Sequence, residues 1–343
     1  MSTQPDLRIP LYMIQFKTMK KNVQCGLCPK ACIMEPGQRG ECRVRINIDG
    51  KLTAVTYGFP CSIHVDPMEK KPMFHFLPGT PVLSLATVGC NLRCKNCQNW
   101  EISQCDPEDS SAVEVPPESV VALAIKHNCR SVAYTYTDPI VYYEYALDSA
   151  IRVHEAGLKN VLVTAGYINK APWRELCRYV DAANIDLKAL SDSFYRDMCG
   201  ATLQPVLDAL VLAKESGVLV EVTNLLIPTL NDSDSQLQQL VRWIRQYMGA
   251  ETPLHFSRFF PQHRLRNLPP TSPATLNRAS QIAAAEGLKH VYIGNVLSER
   301  SENTYCPACG KLLIKRKGFT ILENELKHGR CDACGRELKG VWQ

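Results

Sequence analysis

Cys90-Asn91-Leu92-Arg93-Cys94-Lys95-Asn96-Cys97 follows an apolar run over residues 82–88, and its three cysteines stand at C-x3-C-x2-C. Thiolates at this spacing share one tight loop and can wrap one corner of an iron–sulfur cube without help from distant chain. A [4Fe–4S] cube is normally held by four cysteines. Three leave one iron open to a small molecule. The competing reading is a zinc site or spare core cysteines, but zinc prefers paired C-x2-C knuckles and a complete fourth ligand.

From Pro81 onward the chain alternates strand-like and helix-like stretches. Strands are expected over 82–88, 131–136, 160–164, 183–187, 219–224 and 254–256, with a further one at 290–294. Helices are expected between them, over 118–127, 140–155, 171–178, 204–216, 234–246 and 273–286. Pro116-Pro117-Glu118-Ser119 and Asn231-Asp232-Ser233-Asp234 are helix starts, while Glu155-Ala156-Gly157 and Glu215-Ser216-Gly217 are helix ends. Alternating βα units joined by right-handed crossovers give a parallel sheet with helices outside. A doubly wound sheet would show the same alternation, and the cysteine loop after the first strand favours a barrel. In barrels the chemistry sits at the C-terminal ends of the strands. That edge here carries the cysteines, Thr137-Asp138-Pro139, Thr164-Ala165-Gly166-Tyr167, Asp186 and Lys188, Asn224, His255-Phe256-Ser257-Arg258 and Gly294-Asn295.

The other cysteines divide the chain further. Cys25, Cys28, Cys32 and Cys42 fall among glycines and a proline, as a metal-nucleated loop requires, and their spacing suits zinc or an auxiliary iron–sulfur cluster. Residues 43–56 read as a hairpin around Asp49-Gly50. Residues 57–79 read as a linker rich in proline and lysine that carries His64, Asp66, Glu69, Lys70, Lys71 and His75, its two histidines read as solvated loop residues rather than as lining a site mouth. Cys306-Pro307-Ala308-Cys309-Gly310 and Cys331-Asp332-Ala333-Cys334-Gly335 are two C-x2-C-G knuckles, the pattern of a zinc ribbon. The expected division is therefore 1–79 (cysteine-rich module and linker), 80–300 (α/β core) and 301–343 (zinc-ribbon-like tail).

Hydrophobic residues make up 45% of the 343 and charged residues 21%, as in an ordinary globular protein. No apolar run reaches the length of a membrane span, and the first residues lack a signal-peptide pattern, so a cytoplasmic protein without a membrane partner is expected. In that compartment 16 cysteines read as metal and cluster ligands rather than disulfides. A net charge of +5, without an aromatic-rich basic groove, argues against a nucleic-acid partner.

Several phrases together carry a family resemblance: Cys25-Gly26-Leu27-Cys28-Pro29, Gly40-Glu41-Cys42-Arg43-Val44-Arg45, Phe74-His75-Phe76-Leu77-Pro78-Gly79, Thr87-Val88-Gly89-Cys90-Asn91, Cys97-Gln98-Asn99-Trp100-Glu101-Ile102-Ser103, Tyr134-Thr135-Tyr136-Thr137-Asp138-Pro139, Leu254-His255-Phe256-Ser257-Arg258-Phe259 and Asn303-Thr304-Tyr305-Cys306. They resemble the radical S-adenosylmethionine (radical SAM) component of the AmmeMemoRadiSam system, a group similar to pyruvate formate-lyase activating enzymes. The resemblance implies an α/β fold with an open, partial (βα)6 radical SAM barrel. It assigns Cys90, Cys94 and Cys97 to a [4Fe–4S] cluster whose open iron is chelated by SAM. Tyr136-Thr137-Asp138 stands where activating enzymes place a Gly-Gly-Glu loop for the SAM amino group, so the side chain of Thr137 or Asp138 shares that role. Thr164-Ala165-Gly166 replaces the usual Thr-Asn-Gly, Asp186-Leu187-Lys188 matches an Asp-x-Lys motif contacting the SAM carboxylate, and His255 matches a histidine near the adenosyl group.

The implied activity is reductive cleavage of SAM, with an electron from flavodoxin or ferredoxin, to a 5′-deoxyadenosyl radical that abstracts hydrogen from an unidentified small-molecule substrate. The alternative within the family is an activating enzyme that installs a glycyl radical on a partner protein. From another class, the alternative is a zinc-dependent nucleic-acid or protein-binding module. Memo-type and AMMECR-type partner proteins are implied by the family name.

Overall fold

The computed structural model describes residues 13–15, 21–296 and 301–343. Its centre is an eight-stranded sheet: β1 (Ser62–Pro67), β2 (Pro81–Ala86), β3 (Ser131–Tyr134), β4 (Lys159–Thr164), β5 (Ala182–Asp186), β6 (Leu219–Leu226), β7 (Leu254–Arg258) and β8 (Val291–Gly294). Each strand pairs with its predecessor in sequence, β1 antiparallel to β2 and all later pairs parallel. The crossovers are α1 (Pro117–Lys126), α2 (Tyr143–Glu155), α3 (Lys170–Cys177), α4 (Gln204–Glu215), α5 (Asp234–Trp243) and α6 (Pro273–Ala285). A strand order that never reverses, joined by right-handed crossovers, puts every helix on one face and lets the sheet curl about the other. Among the described residues no pairing joins β8 back to β1, so the barrel is open.

Strands covered on both faces read as nearly continuous apolar runs, and Ser131-Val132-Ala133-Tyr134 is buried throughout. The expected start signals are used: Pro117 occupies the first turn of α1, and Ser233 and Gln236 form a reciprocal capping box on α5. The hairpin expected around Asp49-Gly50 pairs Arg45–Ile48 with Lys51–Ala54. Both turn residues have positive φ, 51° and 86°, as a type I′ turn requires. Buried Arg45 joins this hairpin to α2 through a two-pronged ion pair with Glu144, at 3.1 and 2.6 Å.

The stretch 57–79 is not a solvated linker. It supplies β1, and Lys71, Glu69 and His75 are 2%, 1% and 0% exposed. Asp66 accepts from Lys70 at 2.8 Å, from Lys71 at 2.6 Å and from the Tyr136 hydroxyl. His75 meets the Lys339 carbonyl at 2.9 Å and the Tyr292 hydroxyl at 2.7 Å. The polar composition that reads as loop is a set of matched buried pairs. His64 does stay exposed.

The tail packs on the core. Its strands Thr304–Tyr305, Leu312–Lys317 and Thr320–Asn324 form one sheet, and buried Arg316 reaches from it to the core. The Arg316 guanidinium donates to the Phe74 carbonyl at 2.9 Å, lies 4.3 Å from the centre of the Phe74 ring and pairs with Glu69 at 3.6 Å. The chain end adds backbone bonds from Leu77 to Val341 at 2.6 Å and from Val341 to His75 at 2.8 Å. Arg316→Met is expected to leave the Glu69 carboxylate buried without its cation, at a cost of about 3–5 kcal/mol. The measurement is the midpoint of urea unfolding, and an unchanged midpoint would show that this contact does not hold the tail.

No helix among the described residues is long and apolar enough to cross a membrane.

Candidate functional site

A cleft of 780 Å³ opens at the C-terminal edge of the parallel strands. Its walls include Cys90, Cys94 and Cys97 beyond β2, Tyr136, Thr137 and Asp138 beyond β3, Thr164 at the end of β4, Asp186 and Lys188 at the end of β5, and His255 on β7. Every residue marked from sequence for the cluster and SAM therefore lies in one lining. Neither the N-terminal nor the C-terminal set of four cysteines does.

The cysteine loop is pinned from both sides. Arg93 and Lys95 donate backbone N–H groups to the carbonyls of Cys199 (2.7 Å) and Met198 (2.9 Å), and Asn91 donates its side-chain amide to the Tyr167 carbonyl at 2.8 Å. The Cys97 sulfur lies 3.3 Å from the Ser103 hydroxyl, and the Leu92 N–H points at the Cys90 sulfur at 3.4 Å. A hydrogen bond from the buried Cys199 thiol holds Cys94 below the usual thiol range, whereas burial pushes Cys90 well above it.

Tyr136 has φ +63°. A tyrosine here adopts the left-handed backbone that glycine favours, so the first of the two expected glycine positions keeps a glycine-like conformation. The Asn99 side chain donates to the Tyr136 carbonyl at 2.6 Å and ties this turn to the cysteine loop. Thr137 donates its hydroxyl to the Thr87 carbonyl at 2.8 Å. The Asp138 carboxylate accepts from the Thr164 hydroxyl and the Ala165 N–H, both at 2.9 Å, and from the Ile140 N–H at 3.2 Å. It thus braces the β4 loop, and the Ala165 position contributes a backbone donor where a side-chain amide was expected. Burial raises the Asp138 carboxyl in spite of these bonds.

Lys188 and Asp186 pair at 2.7 Å. Burial would lower the Lys188 ammonium, but the neighbouring charges, Asp186 first and then Cys94, outweigh it and keep the group well above its ordinary value. His255 Nε2 meets the fully buried Glu221 carboxylate at 2.6 Å, and the other Glu221 oxygen accepts the backbone N–H of His75 at 2.7 Å. Burial would raise Glu221; the His255 and His75 rings hold it below the usual carboxylate range. The His255 ring is thereby fixed, stacked on Tyr292 and edge-on to Phe74.

Sequence reasoning passed over Glu221, Cys199, Lys71, and the tail residues Glu302, Gly318 and Phe319 that wall the cleft mouth. Glu221 had a signal, a lone charge inside the apolar run Val220-Glu221-Val222. Cys199 and the tail residues had none.

The tail cysteines form a metal-sized group: all four sulfurs of Cys306, Cys309, Cys331 and Cys334 lie within 4.8 Å of one another. Cys306–Cys334 and Cys309–Cys331 are 3.5 and 3.7 Å apart. Zn–S bonds of ~2.3 Å give a tetrahedron with edges of about 3.8 Å, so the residues fit one zinc ion. The central three thiolates suit an iron–sulfur group, as soft donors on a half-buried loop that lines the cleft.

The family described as the Radical SAM superfamily matches residues 84–244. An uncharacterized protein of Methanocaldococcus jannaschii is 48% identical over 328 residues, 95% of this chain and 98% of that protein. The pyruvate formate-lyase-activating enzyme of Clostridium pasteurianum is 23% identical over 172 residues, 48% of this chain and 69% of that enzyme. Among solved structures, a radical SAM methyltransferase from Sphaerobacter thermophilus superposes with a TM-score of 0.51 at 18% identity, covering 69% of this chain and 71% of that one.

Proposed function

Because the chain belongs to the radical SAM superfamily, we propose that it is an enzyme that holds a [4Fe–4S] cluster on Cys90, Cys94 and Cys97 and cleaves SAM to abstract hydrogen from a small-molecule substrate. The observation behind this reading is the gathering of three thiolates, an ion-paired lysine and a carboxylate-held histidine on one cleft at the strand ends. When bound, the cluster and SAM supply one-electron cleavage of SAM and hydrogen-atom abstraction.

The chain supplies position and exclusion of water. Lys188 offers a cation for a carboxylate, and Asp186 beside it offers an acceptor. The resemblance assigns the Tyr136-Thr137-Asp138 turn to the SAM amino group, and the turn is held by the Thr137 bond to the Thr87 carbonyl and the Thr164 bond to Asp138. Glu221 keeps the His255 ring in one orientation, and the family resemblance assigns that ring to the adenosyl group. Gly318 and Phe319 of the tail add to the lining of a cleft of 780 Å³, a size that favours a small substrate over a protein segment. The test is anaerobic turnover: reduced, iron-loaded protein with SAM is expected to release 5′-deoxyadenosine, and a loaded protein that leaves SAM intact would sink the reading.

Cys199 is held against the cysteine loop by the Arg93 N–H bonded to its carbonyl at 2.7 Å, and its thiol lies beside Cys94, where it would donate to the sulfur. Hydrogen bonds to cluster sulfurs favour the more negative, reduced state. Cys199→Ala is therefore expected to lower the midpoint potential in an EPR-monitored titration; an unmoved potential would remove Cys199 from this role.

Similarity to a pyruvate formate-lyase-activating enzyme favours a second reading, installation of a glycyl radical on a partner protein. A glycyl-radical EPR signal on a candidate partner separates the two. Relatives of this kind also support a flavodoxin or ferredoxin as electron donor. We assign zinc to the tail cysteines on their spacing. We place the protein in the cytoplasm on its 16 unpaired cysteines. Memo-type and AMMECR-type partners rest on the sequence resemblance.

A further inference from the structure

We infer that Cys25, Cys28, Cys32 and Cys42 hold a second iron–sulfur cluster, a cube with all four thiolate ligands, adjoining the central cysteine loop and relaying electrons to it. The four cysteines line one small cavity, whose other walls are the apolar Leu27, Met34, Ile140 and Val141 and the charged Lys30, Glu41 and Arg45. The backbone is bent to bring them there. Cys25 donates its N–H to the Cys32 carbonyl at 3.0 Å, Ala31 donates to Cys28 at 3.1 Å with φ +47°, and the Glu41 N–H points at the Cys32 sulfur at 3.5 Å. The net charge of the surroundings and N–H groups aimed at sulfur set the potential of an iron–sulfur site, and the Lys30 and Arg45 cations beside N–H groups supply both here.

The tail provides a standard within the same chain for how zinc-spaced thiols look. Its sulfurs are drawn to the separation that one ion imposes, while among the described residues the N-terminal four do not form such a group within 4.8 Å. They surround a cavity instead, as four corner irons would require. The spacing C-x2-C-x3-C-x9-C also lacks the paired knuckles seen in the tail.

Placement gives the second argument, and it rests on the proposed central cluster. Asn91, the residue after Cys90, lines the N-terminal cavity, and its side chain lies against Cys28. A Cβ on Gly89 would stand 2.5 Å from the Cys42 carbonyl oxygen. Lys30 donates to the Gly200 carbonyl at 2.5 Å, next to the Cys199 that bonds Cys94. Two thiolate sets thus share one wall. Zinc has no redox chemistry to gain from such a neighbour; a one-electron centre does. Cys28 and Cys32 are partly exposed, which gives the site a face toward solvent. In the relay a reduced ferredoxin or flavodoxin loses one electron to the N-terminal cluster. That cluster returns to its oxidised form by passing the electron to the central one, with no bond made or broken.

The experiment counts metals in anaerobically reconstituted full-length protein. About eight iron, eight sulfide and one zinc per chain are expected, since each cube carries four iron. About four iron with two zinc would overturn the proposal without recourse to any variant. Substitution then locates the iron. Cys28→Ser with Cys32→Ser is expected to lose half of it, and Cys90→Ala with Cys94→Ala and Cys97→Ala to lose the other half. All iron lost in the triple variant overturns the second cluster; iron lost only in the N-terminal variant overturns the central one and leaves this proposal standing.

Discussion

Cys94→Ser is expected to reduce 5′-deoxyadenosine formation to background and to remove about four iron per chain from the central loop, because a cube held by three thiolates has no ligand to spare. The position is held from both neighbours. Its neighbours Arg93 and Lys95 are both bonded to the segment carrying Met198 and Cys199, so the loop cannot slide to offer another donor. Cys94 also receives the Cys199 hydrogen bond and faces Lys188, and these stabilise a thiolate rather than a hydroxyl. A serine oxygen is a harder donor and stays protonated at neutral pH, so it does not replace the sulfur. Product is measured by chromatography and iron by colorimetry, with circular dichroism to establish that the variant is folded. Unchanged product from a folded variant would refute the assignment of this loop.

Much of the site was legible because its signals are local. An apolar strand followed by C-x3-C-x2-C puts three thiolates at a strand end whatever else the chain does, and Asp186-Leu187-Lys188 carries its partners within one turn of backbone. The seven parallel strands follow from apolar runs, helix starts and closing glycines in the same way. What escaped is pairing across long sequence separations. Asp66 with Tyr136, Glu69 with Arg316 and His75 with Lys339 each join residues far apart, and each buries a polar group that by itself reads as solvated loop. The tail's hold on the core escaped for the same reason. Two knuckles announce a metal, but nothing in them says that Arg316 reaches the Phe74 carbonyl. Tyr136 is the converse case, in which the missing glycines read as a departure while the backbone keeps the glycine-like conformation.

Gly89→Ala is expected to destabilise the protein by about 2–5 kcal/mol and to lower its iron content, and the cause is contact as much as conformation. Gly89 has φ +91°, where an L-residue costs about 1–2 kcal/mol. Its Cβ would also meet the Cys42 carbonyl oxygen at 2.5 Å and a Val44 methyl at 2.7 Å. Neither neighbour can yield cheaply. The Arg43 N–H is bonded to Gly40 at 2.9 Å and the Val44 carbonyl to Val55 at 3.0 Å, and Val44 is wholly buried. Overpacking of this kind adds about 1–3 kcal/mol. The strain would be relieved by parting the Cys42 segment from the Cys90 loop, which disturbs both cysteine sites at once. Gly58→Ala is the control, since Gly58 has φ +78° but no atom within 4 Å of its Cβ position. It carries the conformational cost alone, about 1–2 kcal/mol. Thermal unfolding and iron content of the two variants are the readout: equal losses in both would show that the close approach of Gly89 to Cys42 contributes nothing, and a larger loss at Gly89 would show that the two cysteine sites depend on one contact.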